Sequence, residues 1–205
     1  MSRQGRLFIV SAPSGGGKTS LVAALVQTLP RCAISISHTT RFPRLGETEG
    51  KNYFFVDEAT FVAYQQQDIF LESAQVFNHW YGTSKSSVIE NLQKGVDVFL
   101  DIDWQGARAI KAQMPCTSIF ILPPSQRVLE ARLKGRRQDS ESVISARMAK
   151  AQEEISHYAE YDFIIINNEF DEALADLSVI VKAQRLSKDS QEAEYAQLIA
   201  SLLVT

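Results

Sequence analysis

The run Ser11-Ala12-Pro13-Ser14-Gly15-Gly16-Gly17-Lys18-Thr19-Ser20 carries the residue types that hold a polyphosphate. Three consecutive glycines let the backbone coil tightly enough for several N–H groups to point at one anion. Lys18 is long enough to reach the outer phosphates of a nucleoside triphosphate, and the Thr19 hydroxyl can ligate Mg²⁺. The usual first glycine of such a loop is replaced by Ala12, a change of one methyl group. The loop points to a nucleoside triphosphate and leaves the acceptor of its phosphate open.

Three further groups could share that chemistry. Asp101 and Asp103 follow the apolar run Val96 to Leu100. A carboxylate at such a strand end holds Mg²⁺ through water in P-loop enzymes, and side chains two apart on an extended chain face the same side. One of the pair can instead cap a helix starting near Trp104. Arg41 and Arg44 lie in a loop bounded by Pro43 and Gly46, and guanidinium groups bind phosphate through paired hydrogen bonds. Tyr53 and Tyr81 could add hydroxyl donors. Arg132, Arg136, Arg137 and Arg147 form a third cluster. Arg132 and Arg136 are four apart, where like charges on a helix repel, and an anion between them would relieve that.

The loop has the context it needs. The apolar run Leu7 to Val10 predicts a strand over 6–11, and the residues after the glycines predict a helix over about 18–29, closed by Pro30. Further strands are predicted at 34–36, 53–56, 70–77, 80–83, 96–100, 117–122 and 163–166, with 38–52 read as a loop. Helices are predicted at about 58–66, 85–94, 104–112, 125–134, 141–158, 170–184 and 190–203, with Asp57, Ser84 and Ser125 as N-caps and Gly95 as a stop. Continuously apolar strands alternating with helices predict an α/β fold, a parallel sheet covered on both faces. Residues 37–83 read as a small, β-rich insertion. Tyr195, Ile199 and Leu202 recur at helical spacing, so the last helix is expected to pack this face on the core, with a self-contact in a homo-oligomer as the lesser alternative.

Composition narrows the class. The chain has 205 residues, 45% hydrophobic and 22% charged, with a net charge of −3, as expected of a globular protein without a general nucleic-acid-binding role. Seven of its 21 basic residues lie between Arg127 and Lys150, a basic island that suits a local anion. Cys32 and Cys116 make no disulfide framework and read as buried thiols, and His38, His79 and His157 lack ligand spacing. No apolar run reaches the ~18–20 residues of a membrane span. A cytoplasmic protein is expected.

These stretches resemble a guanylate kinase over about residues 5–185. The likeness rests on Ala12 to Thr19, Ser37 to Glu47 with Gly50 to Phe55, Phe70-Leu71-Glu72, Tyr81-Gly82-Thr83, Asp101 to Gly106, Pro123-Pro124-Ser125 and Arg132 to Arg136. The arginine-bearing second stretch is the specific one. The resemblance implies a P-loop NTPase-type core (1–36, 84–124 and 158–205), a GMP-binding lobe (37–83) and a helical lid (125–157). It implies ATP + GMP giving ADP + GDP with Mg²⁺. Residues 12–20, that is Ala12, Pro13, Ser14, Gly15, Gly16, Gly17, Lys18, Thr19 and Ser20, would hold ATP, with Asn167 near adenine. Arg41, Arg44, Tyr53 and Tyr81 would hold the GMP phosphate. Ser37, Glu72, Thr83 and one of Asp101 and Asp103 would contact guanine or ribose, the other aspartate serving the metal. Lys18, Arg132, Arg136 and Arg147 would act on the transferred group.

Elementary chemistry fits that reading. Guanine presents two adjacent donors, N1–H and the 2-amino group, which one carboxylate can accept, whereas adenine turns a bare N1 lone pair towards it. Sites built on such bonds discriminate by roughly 10⁴–10⁵. Two alternatives stay open at this level: a non-catalytic interaction module of the same fold, against which the intact Gly17-Lys18-Thr19 argues, and a related P-loop kinase for another phosphorylated substrate.

Overall fold

The computed structural model describes residues 3–76, 78–135 and 141–203. Its centre is a five-stranded, all-parallel sheet in the order β2-β7-β1-β8-β9, formed by β1 (Leu7–Ser11), β2 (Cys32–Ile34), β7 (Asp97–Asp101), β8 (Thr117–Leu122) and β9 (Phe163–Ile166). The side-chain alternation of β1 divides the core. Phe8 and Val10 face α1 (Lys18–Thr28) and α7 (Phe170–Arg185), meeting Leu21, Leu25, Leu177 and Val181. Leu7 and Ile9 face α3 (Lys85–Gln93) and α4 (Trp104–Lys111), meeting Val88, Leu92, Ala107 and Ile110. Both faces are thus apolar, which is why these strands read as continuous hydrophobic runs.

A second, four-stranded sheet has the order β4-β3-β6-β5, from β3 (His38–Thr39), β4 (Phe54–Phe55), β5 (Phe70–Val76) and β6 (His79–Ser84). The helix α2 (Glu58–Gln66) buries Phe61 against Phe70. His38 sits among the rings of Phe54, Tyr64 and Phe70, and burial lowers its pKa. A helical pair, α5 (Gln126–Lys134) and α6 (Glu141–Ser156), joins through Leu129, Leu133 and Ala151. One turn of 3-10 helix (Tyr158–Glu160) leads to β9, and α8 (Lys188–Leu203) ends the described chain.

The expected caps form. Asp57 accepts from the Thr60 amide, Ser84 from Ser87 and Ser125 from Val128. Gly95 follows α3 with a positive φ of 74°, the left-handed stop for which glycine is suited.

Four expectations need correction. The strand placed at 34–36 is Cys32–Ile34, because its partners are Asp97, Val98 and Phe99 and the chain then leaves for the second sheet. The loop expected over 38–52 begins with β3, which pairs with Tyr81 and Gly82 on one side and Phe54 and Phe55 on the other. The last helix does not pack its apolar stripe on the core. Tyr195, Ile199 and Leu202 are 43%, 38% and 74% exposed, and non-helical dihedrals at Tyr195 break the periodicity. The two cysteines are half-buried rather than enclosed.

The N-terminal segment, β7 and the end of α7 are tied together by one wholly buried carboxylate. Asp97 accepts two bonds from Arg3 Nη2 (2.7 Å each), one from Arg185 Nε (2.7 Å) and one from the Arg6 amide (2.8 Å). Asp97→Ala strands two guanidinium groups and is expected to destabilise the protein by about 3 kcal/mol. Urea unfolding checks this. A loss under about 1 kcal/mol would mean that the arginines recover equivalent partners in water.

Candidate active site

The P-loop connects β1 to α1, and its shape depends on Gly15 and Gly17, with φ of 87° and 92°. A Cβ on Gly17 would also lie 2.3 Å from Asn167 Nδ2. That amide donates to the Gly16 carbonyl (2.8 Å), so the buried Asn167 at the end of β9 braces the loop from beneath. The parallel register pairs Val10 with Asp101, which sets the C-terminal end of β7 beside the loop. Thr19 Oγ1 donates to Asp101 Oδ2 (2.8 Å), while Lys18 Nζ lies 2.5 Å from Asp101 Oδ1 and donates to the Ile102 carbonyl (3.3 Å).

A cleft of about 340 Å³ opens from this loop towards the second sheet. It is lined by residues 12–20, including Lys18, Thr19 and Ser20, and by Asp101, Asp103, Ser37, Arg44, Tyr53, Glu72, Tyr81, Arg147 and Glu154. Most residues picked from the sequence therefore share one cavity. Glu72, from β5, is its most buried carboxylate. Burial pushes its pKa up to about 7, the hydrogen bond from Thr83 works against this, and nearby Asp103 adds to it. Thr83 Oγ1 donates to Glu72 Oε1 at 2.6 Å. The rings of Tyr53 and Tyr81 meet edge to face at 5.9 Å, and burial raises the Tyr53 hydroxyl to about 12.

Thr83, Arg41 and Arg132 stand off the cavity wall. Thr83 is wholly buried behind Glu72. Arg41 Nη2 binds both carboxylate oxygens of Glu47 (2.8 and 2.9 Å), with its guanidinium 5.4 Å from the Tyr53 ring centre. Arg132 Nη2 donates to the Asn167 carbonyl (3.0 Å), and its buried Nη1 has no hydrogen-bond partner among the described residues. Asp103 caps α4, accepting from the amides of Gln105 and Gly106 (3.0 Å each), while still facing the cleft. Arg136 and Arg137 lie outside the described residues.

Two carboxylates escaped the sequence reading. Glu47 lies in the arginine-bearing stretch and orients Arg41, and it also accepts from the Arg44 amide (2.7 Å). The spacing Arg41 to Glu47 was its available signal. Glu154 of α6 accepts from the Ser14 amide (3.0 Å), and burial raises its pKa despite that bond. Nothing in the local pattern around Glu153-Glu154 separates this residue from a solvated pair.

The donors near Lys18 suit a hard cation. The Thr19 hydroxyl and the Asp101 carboxylate are adjacent oxygens, and Mg²⁺ is commonly held by one or two protein oxygens, phosphates and water. Among the described residues no cluster of three or more His, Cys, Asp or Glu could hold a metal by itself.

Comparison with known proteins agrees with this layout. The sequence model described as guanylate kinase matches residues 4–184. Guanylate kinases of Escherichia coli (strain K12) and Salmonella typhi are each 54% identical over 203 residues, 98% of this chain and 98% of theirs. The crystal structure of guanylate kinase from Anaplasma phagocytophilum superposes with a TM-score of 0.77 at 32% identity, covering 95% of this chain and 97% of that one. No helix among the described residues is long and apolar enough to cross a membrane. With the P-loop seated on Asp101 at one end of the cleft, Glu72 at the other, and this likeness running through nearly the whole sequence, the chain belongs to the guanylate kinase family.

Proposed function

We propose that the protein transfers the γ-phosphoryl group of ATP to the phosphate of GMP in the cytoplasm, giving ADP and GDP. The observation that carries this reading is the buried Glu72 carboxylate in the same cleft as an intact P-loop. The P-loop amides and Lys18 bind the β- and γ-phosphates of ATP. Mg²⁺, when bound through Thr19 and Asp101, neutralises charge on those phosphates. The residue 37–83 lobe receives GMP. Arg44, Tyr53 and Tyr81, with Arg41 once it exchanges Glu47 for the ligand, hold its phosphate. Glu72, held from behind by Thr83, accepts the guanine N1–H and 2-amino group, and Ser37 and Asp103 flank the nucleoside.

A GMP phosphate oxygen then forms a bond to the γ-phosphorus as the bond from that phosphorus to the β–γ bridging oxygen breaks, and ADP leaves. The nucleophile is already an anion, so no general base is needed. Catalysis comes from alignment and from offsetting the repulsion between two polyanions. Arg132 and Arg147, with Arg136 beyond the described residues, are the 125–157 lid's contribution. Arg132 Nη1, buried without a hydrogen-bond partner among the described residues, supports that role, since a buried donor is costly until an acceptor reaches it. Asn167, which the resemblance places near adenine, also braces the loop that holds the phosphates.

Three outcomes are expected. Lys18→Ala should lower kcat roughly 10²–10³-fold while leaving the GMP affinity within about threefold, measured by coupled ADP release and by GMP titration. Normal turnover would remove the P-loop from the mechanism. Glu72→Gln replaces an acceptor pair with one acceptor and one donor, so the preference for GMP over AMP should collapse, and an unchanged preference would sink the guanine assignment. The third concerns pH. The ionised form of Glu72 is the acceptor, and with its pKa near 7 a proton occupies it increasingly as the pH falls below that value. The KM for GMP should therefore rise as pH drops through about 7 and level off above. Glu72→Gln should lose this component while keeping the titration of the GMP phosphate itself.

A further inference from the structure

Gly106 is the third residue of α4, and its presence needs a reason. Its φ is not positive, so no backbone conformation demands glycine there. Within a helix glycine is less favourable than alanine by roughly 0.5–1 kcal/mol. The remaining reason is space, and what fills the space is Glu72. A Cβ built on Gly106 would lie 2.9 Å from Glu72 Oε2, 3.3 Å from Glu72 Cδ and 3.3 Å from Ile102 Cβ. The first distance is shorter than side-chain contacts tolerate, so something would have to move.

The helix cannot be the part that gives. The Gly106 amide is fixed to Asp103 Oδ1 (3.0 Å) and the Ala107 amide to the Asp103 carbonyl (2.9 Å). Ala107 and Ile110 are buried against the central sheet. The far end of the Glu72 side chain is the movable part, and it is already held on its other oxygen by Thr83. The carboxylate therefore sits in a two-sided clamp, with Thr83 on Oε1 and the bare Cα of Gly106 against Oε2.

We infer that Gly106 is a specificity-determining position: its missing side chain sets where the Glu72 carboxylate meets the guanine edge. It acts through Glu72 and touches no reacting atom, so it is a positioning residue. This rests on the reading of Glu72 as the guanine acceptor and adds the element that fixes its place. An added methyl group pushes the carboxylate off by a few tenths of an ångström, which misaligns both bonds to guanine and leaves the P-loop untouched.

The test is Gly106→Ala, assayed with GMP, IMP and ATP as varied substrates. IMP lacks the 2-amino donor. The KM for GMP should rise about tenfold, and the preference for GMP over IMP should shrink by a similar factor. The kcat and the KM for ATP should stay within about twofold, and Tm should hold or rise because alanine favours the helix. In a Glu72→Ala background the same change should have no further effect on GMP, since the group it displaces is gone. A wild-type KM for GMP in the folded single variant overturns the inference, as does an equal loss for both substrates with a lowered Tm. Glu72→Gln, run alongside, separates the two layers. If it keeps full selectivity, the guanine reading falls and Gly106 with it. If it loses selectivity while Gly106→Ala behaves as wild type, only the role of Gly106 falls.

Discussion

The contact on which the site depends is the one between Asp101 and the two P-loop residues Lys18 and Thr19. It is a consequence of register. Parallel pairing aligns Val10 with Asp101, so the loop leaving β1 and the carboxylate ending β7 emerge side by side. That pairing is fixed by burial on both faces, because a slip of one residue would exchange Phe8 and Val10 for Leu7 and Ile9 in front of α1 and α7. Core packing thereby sets the position of the phosphate-binding lysine, at a carboxyl edge where α/β sheets bind ligands.

The segment from Asp101 to Gly106 joins the two halves of the cleft. It begins at the carboxylate that receives Lys18, passes through the Asp103 cap, and ends against Glu72 of the second sheet. The α4 helix that follows is anchored in the central core by Ala107 and Ile110. The donor-side and acceptor-side carboxylates are thus referred to one rigid element. Precision of this kind matters for phosphoryl transfer, which depends on alignment more than on covalent participation.

Much of this was legible in the sequence. Asp57, Ser84, Ser125 and Gly95 declare helix ends through local hydrogen bonding and backbone freedom, and those ends are where they were expected. The buried strands are apolar throughout, and the P-loop has a spacing that physics makes distinctive. What stayed hidden depends on partners distant in the chain. The strand His38–Thr39 is two residues long and exists through pairing with Phe54 and Tyr81. The bond from the Asn167 amide to the Gly16 carbonyl, 151 positions away, has no local signature. The stripe of Tyr195, Ile199 and Leu202 has helical spacing but stays exposed, because periodicity says which residues share a face and not whether anything covers it.

Several charged groups that face phosphate chemistry already hold a partner within the chain. Asp101 neutralises Lys18, Glu47 neutralises Arg41, and Glu154 occupies the Ser14 amide. A bare charge in a partly desolvated cavity is costly, so such pairing keeps the unliganded site affordable and its side chains oriented. It also means that an incoming phosphate replaces an internal carboxylate or shares its cation, and the net gain is a difference between two similar interactions. Glu72 differs from Asp101 and Glu47 in this respect. It has the Thr83 hydroxyl and the space above Gly106, with no hydrogen bond from a cation among the described residues. Burial is what raises its pKa, nearby Asp103 adds to it, and neutral donors that reach the buried carboxylate gain from its unmet capacity. A group left undersatisfied in this way discriminates between bases more sharply than one already paired, because the wrong edge brings a lone pair to the position that most needs a hydrogen.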